Sequence, residues 1–206
     1  METLKEKLKI DSLLKEQDLN EALKKLAEMI MNGYCIANGK HKYRPIEIEF
    51  YIYEKDIDND HKKHADEHVY QRDAEAGRVF FHKSGMDICF ASSMKDGRFG
   101  GILIRALERE DGKCFGGPRI CSFEVLNTAS ALCIIQLCEE KRSYTAIASK
   151  RIGITEWHDS KSNWKDEYYN KDYRFVREGQ KPIEMEFDSY DFRLSASAKY
   201  KRIYKL

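Results

Sequence analysis

The chain has three prolines, two tryptophans and no Cys-x-x-Cys pair among its six cysteines. Without paired cysteines it lacks the commonest zinc and dithiol signatures, and several of its cysteines fall in apolar runs where a thiol acts as a small hydrophobe. Free thiols in a reducing compartment are expected. There is also no charge of one sign to spare: 36 Lys+Arg against 35 Asp+Glu leave a formal net charge of +1. No global field draws in a polyanion, so any nucleic-acid contact must be local. No apolar run approaches the length of a membrane span, and the N-terminus is charged from Glu2 with no apolar signal core. A soluble, cytoplasmic, monomeric chain without membrane contact is the expectation. Strands and helices mix without a βαβ rhythm, which excludes a doubly wound parallel sheet. With 206 residues and 42% hydrophobic content, one domain over 1–206 can bury its own core.

The most informative stretch is 45–53, Pro-Ile-Glu-Ile-Glu-Phe-Tyr-Ile-Tyr. In a strand alternate side chains share a face, so Ile46, Ile48, Phe50 and Ile52 belong to a core. Glu47, Glu49, Tyr51 and Tyr53 line the other side, the two acids roughly 6.5–7 Å apart. That face suits acid/base work or stacking on a planar ligand; an ordinary solvated face reads the same way. Pro182-Ile-Glu-Met-Glu-Phe nearly repeats the stretch with no fixed period, so the acids alone do not decide.

Asp18 followed by Glu21 makes a capping box, and Leu19, Ala22, Leu23, Leu26, Met29 and Ile30 keep helical spacing over 19–32 until Gly33. The charged stretch 54–76 reads as a loop or exposed helix. Short strands are expected at 78–82, 86–92 and 100–107, a helix from Phe123 to about residue 140, and strands at 173–178 and 183–192. The fold class is α+β, a single domain with a curved antiparallel sheet and packed helices.

Candidate chemistry is sparse. His61, His64 and His68 would share one face of a helix and offer a metal site, or simply a polar surface. Arg105 stands alone in an apolar strand, where a buried charge needs a carboxylate, and Glu49 or Glu47 would supply one. Trp157, Trp164, Tyr168 and Tyr169 flank a charged segment and would stack on bases or pack at a surface. The basic clusters Lys40–Arg44 and Lys199–Lys205 are modest.

Five segments, in order over residues 46–176, resemble the methylpurine-DNA glycosylase family, the alkyladenine (3-methyladenine) type of base-excision repair enzyme. Ile46-Glu47-Ile48-Glu49-Phe50-Tyr51 is similar to its Val-Glu-Thr-Glu-Ala-Tyr strand, and Ile102-Leu103-Ile104-Arg105-Ala106-Leu107-Glu108 to its Leu-Leu-Arg-Ala-Leu-Glu strand. Gly117-Pro118-Arg119-Ile120-Cys121, Arg151-Ile152-Gly153-Ile154 and Tyr173-Arg174-Phe175-Val176 resemble three further segments. The resemblance implies a methylpurine-DNA glycosylase-like fold and a hydrolase that needs neither metal nor organic cofactor. Glu49 would activate water against the N-glycosidic carbon, with Arg105 and the backbone of Ile152 holding that water. Tyr51 would stack on an extruded purine, opposite His61 or His64, and the partner would be DNA, single-stranded or damaged. Where the family places a wedge tyrosine, a second stacking tyrosine and a pocket asparagine, this chain has Ser84, Phe81 and Ala91. Two readings follow: a DNA glycosylase-like hydrolase, or a non-catalytic nucleic-acid or nucleoside binding module on the same fold.

Overall fold

The computed structural model describes residues 4–55, 62–154, 168 and 170–179. Two short helices, α1 (Leu4–Lys7) and α2 (Ile10–Leu14), precede α3 (Leu19–Gly33). Asp18 caps α3 as its sequence predicts, its carboxylate accepting from the Glu21 N–H at 3.1 Å. The face of α3 carrying Leu23, Leu26, Ala27, Ile30 and Met31 is buried. Strands follow: β1 (Tyr34–Ala37), β2 (Lys42–Lys55), β3 (Lys62–Ala65), β4 (Val79–His82), β5 (Gly85–Cys89), β6 (Arg98–Arg109) and β7 (Cys114–Gly116). Helix α4 (Pro118–Asn127) leads to β8 (Gln136–Glu139), β9 (Ala146–Ser149) and β10 (Arg174–Arg177).

The fold is α+β: a curved, half-barrel antiparallel sheet of 10 strands with few helices, its main path running β4-β5-β6-β2-β1-β8. Strand β2 is the spine. It pairs with β6 along one edge and with β1, β10 and β3 in turn along the other. Ile48, Phe50 and Ile52 face a core closed by α3 and by Leu4, Leu8, Ile10 and Leu13 from the first two helices and the turn between them. Among the described residues, no helix is long and apolar enough to cross a membrane.

Three expectations are corrected. The helix read as reaching residue 140 ends at Asn127, and the chain re-enters the sheet as β8. Its buried residues are Cys121 and Val125, whereas Phe123, Leu126 and Leu132, which set the apparent period, are exposed. The Thr128 side chain closes the helix by donating to the Glu124 carbonyl at 2.6 Å. The 54–76 stretch is no helix where it is described: His64 lies on strand β3 and His68 in a turn, which removes the shared helical face. The polar face of β2 is not solvated either, since Glu47 and Glu49 are both buried. His61, Trp157, Trp164, Tyr169, the Pro182 repeat, the 183–192 strand and the Lys199–Lys205 cluster lie outside the described residues.

Candidate active site

The register of β2 against β6 slips on both sides of Glu47, so that Glu47 opposes Ala106 while Ile48 opposes Ile104. Arg105 falls in the interruption. An irregularity of this kind re-aims a side chain, and the guanidinium reaches both acids of β2. Its Nε donates to Glu47 Oε1 at 3.0 Å and one Nη to Glu49 Oε2 at 3.2 Å. The lone arginine in an apolar strand therefore has both carboxylate partners the sequence offered.

Glu49 is fully buried. Its Oε1 accepts from the backbone N–H of Ile152 at 2.8 Å, and its Oε2 accepts from the Tyr51 hydroxyl at 2.8 Å as well as from Arg105. The same Arg105 nitrogen donates to the Ile152 carbonyl at 3.0 Å. Carboxylate, guanidinium and the main-chain N–H and C=O of Ile152 thus form a closed triangle, with both oxygens of Glu49 held. Ile152 lies in the segment between β9 and β10, where the exposed Gly153 takes φ 78°. Any residue with a Cβ is strained there.

Glu47 extends the cluster: its Oε1 also accepts from Arg174 at 3.1 Å. Burial pushes the Glu47 carboxyl above its ordinary range, while Arg105 and Arg174 pull it back only in part. Burial likewise raises the Tyr51 phenol well above its usual value, and the neighbouring Glu49 adds to the rise. Tyr51 therefore stays protonated and can only donate to Glu49.

Behind Tyr51 sits Arg151, its guanidinium carbon 4.6 Å from the ring centroid. Arg151 donates to Asp66 at 2.5 Å, to the Phe50 carbonyl at 3.3 Å and to the Tyr168 carbonyl at 2.8 Å, and both charged side chains of the pair are fully buried. Stacking by a planar ligand on Tyr51 is confined to the opposite ring face.

The remaining sequence candidates disperse. His64 is buried, with Nδ1 on the Ile52 carbonyl at 2.7 Å, Nε2 on the Tyr173 hydroxyl at 3.1 Å and its ring 4.2 Å from that of Tyr168. Burial lowers its pKa. Both nitrogens are committed, and a stacking place on His64 is taken by Tyr168. Phe81 belongs to the other side of the sheet: it opposes Met86 in the hairpin and packs on the core. Its neighbour Phe80 opposes Asp87, on the face of Glu49. Ala91 is exposed beyond the end of β5, where its N–H donates to the Leu8 carbonyl at 2.8 Å. Ser84 occupies the β4–β5 turn, 2.9 Å from the Tyr70 hydroxyl.

A second polar cluster went unread in the sequence. Asp87 accepts from Arg72 at 3.1 Å, and its other oxygen lies 3.1 Å from His82 Nε2. The Ser84 N–H donates to His82 Nδ1 at 3.2 Å, so Nε2 carries the hydrogen that faces Asp87. Asp87 breaks the apolar run Met86-Asp87-Ile88-Cys89-Phe90 just as Arg105 breaks its own, and the same rule would have found it. Among the described residues, no group of three His, Cys, Asp or Glu side chains is placed to hold a metal ion.

No family model and no curated protein matches this chain.

Proposed function

We propose that the half-barrel is a methylpurine-DNA glycosylase-like scaffold and that the protein is a hydrolase of purine N-glycosidic bonds with Glu49 as its general base. The observation that carries this reading is the triangle of Glu49, Arg105 and the Ile152 main chain. Three donors occupy a carboxylate that can accept about four hydrogen bonds. The position left over suits a water molecule that also reaches the Ile152 carbonyl or Arg105.

In the reaction that water attacks the anomeric carbon and passes a proton to Glu49. The N-glycosidic bond breaks, and its electron pair leaves with the base. Positive charge grows on the sugar as the bond stretches, and an anionic carboxylate beside it stabilises that charge. Tyr51 serves twice, donating to Glu49 and turning the ring face opposite Arg151 to the base. A base must leave the stack to reach a residue buried this deeply, and Ser84 supplies no wedge to push it out. The expected partner is therefore single-stranded or locally damaged DNA, handled by a cytoplasmic monomer.

The test is base release from oligonucleotides carrying 3-methyladenine or hypoxanthine, single- and double-stranded. Release well above that of Glu49→Gln is expected; none above that control would sink the reading. One observation favours the second reading, a non-catalytic binding module: Glu49 has no exposed surface, as a purely structural carboxylate would have none. That reading expects nucleic-acid or nucleoside binding that survives Glu49→Gln, with no base release from either protein.

A further inference from the structure

The edge of the sheet carries a feature that the glycosylase reading does not use. Strand β8 is the last on the main path and pairs with β1, with Cys35 directly opposite Cys138. Directly opposed residues share a face, with Cα atoms about 4.5 or 5.5 Å apart depending on the type of pair. Either value falls within the disulfide window of roughly 4.4–6.8 Å.

The ladder says which type applies. The Glu140 N–H donates to the Gly33 carbonyl at 2.8 Å, and antiparallel pairs alternate, so two residues further on Cys35 and Cys138 form another hydrogen-bonded pair. Such pairs hold their Cβ atoms somewhat farther apart than the ~3.8 Å a disulfide prefers. A bond there is reachable but strained, and strained disulfides are the readily reduced ones.

The two thiols also differ in access. Cys138 is half-buried and Cys35 fully buried. Burial pushes the Cys35 thiol up to about 11, which leaves Cys138 to meet an oxidant first. Among the described residues the strand register opposes no other two cysteines: Cys89 faces Gly101 and Cys114 faces Glu108.

We propose that Cys35 and Cys138 are a reversible oxidation site, a dithiol that hydrogen peroxide converts to a cross-strand disulfide pinning β8 to β1. Peroxide transfers one oxygen to the Cys138 thiolate, giving a sulfenic acid as the O–O bond breaks and hydroxide leaves. The Cys35 sulfur then attacks the Cys138 sulfur, the S–O bond breaks and water departs. The two thiols lose two electrons and two protons, and the peroxide is reduced to two waters.

The test treats the folded full-length chain with hydrogen peroxide, blocks the remaining thiols with N-ethylmaleimide and maps disulfides by mass spectrometry. The expected result is loss of two of the six thiols, a linked Cys35–Cys138 peptide pair released by dithiothreitol, and slower amide exchange across 136–139 after oxidation. Cys138→Ser, a change at a half-buried position, should retain all its thiols under the same treatment, and it serves if Cys35→Ser does not fold. Six free thiols in treated wild type, a sulfinic acid at Cys138 beside a free Cys35, or a linkage between other cysteines would each overturn the proposal.

Discussion

Two buried carboxylates sit on one face of the sheet, on either side of β6: Glu49 on β2 and Asp87 on β5 both oppose Leu103. Two strand spacings put their backbones about 10 Å apart. Each accepts from an arginine, yet the arrangements differ. Asp87 draws its partners from nearby chain, Arg72 and His82, and Arg72 also donates to the Gly100 carbonyl at 3.2 Å, bracing β5 against β6. Glu49, besides Tyr51 on its own strand, draws its partners from β6 and from the segment after β9, up to 103 residues away. That brace needs only the chain from Arg72 to Gly100, around its own hairpin. The full Glu49 cluster exists only once the distant chain has returned, and it holds the Ile152 main chain against a carboxylate. Under the proposed function, that arrangement is what positions the attacking water.

The contrast can be broken from its far end first. Asp66→Ala leaves the Arg151 guanidinium buried and unpaired behind Tyr51, and a loss of about 3–5 kcal/mol in urea unfolding is expected. On the other side, Asp87→Asn keeps an acceptor for His82 but turns an amide N–H₂ toward Arg72, whose hydrogen bond is lost, and about 2 kcal/mol is expected by the same measurement. If Asp87→Asn cost no stability, Asp87 would not be the brace.

Gly153→Ala probes the backbone alone, because an added Cβ there has nothing within 4 Å to meet. The positive φ should cost about 1 kcal/mol. The smallest effect is a pH dependence. His64 has a folded pKa below its ordinary 6.5, so below that value the unfolded chain binds a proton that the folded one refuses. Stability should therefore fall as pH drops from 6.5 toward the folded pKa. His64→Gln should flatten that slope in thermal melts taken across this range.

How much of this was legible in the sequence depended on how local each signal was. Alternation over 46–53 and the Asp18 cap identified β2 and α3, because both are written in adjacent residues. The lone Arg105 announced its carboxylates by the cost of burying a charge. The α4 boundary failed because apolar Phe123, Leu126 and Leu132 mimic a helical period while facing solvent. Phe81 was assigned to the site although strand pairing sends Phe80 to that face and Phe81 to the core. The burial of both acids was invisible as well, because the cover over them, Ile152 and Arg174, arrives from more than 100 residues downstream.

The central claim is that Glu49, and not Asp87, does chemistry. Base release from a single-stranded oligonucleotide carrying 3-methyladenine, measured side by side for wild type, Glu49→Gln and Asp87→Asn, tests it most directly. The account predicts a loss of roughly 10²–10⁴-fold for Glu49→Gln, with Asp87→Asn near wild type at a temperature where all three are folded. Equal rates for Glu49→Gln and wild type would contradict it.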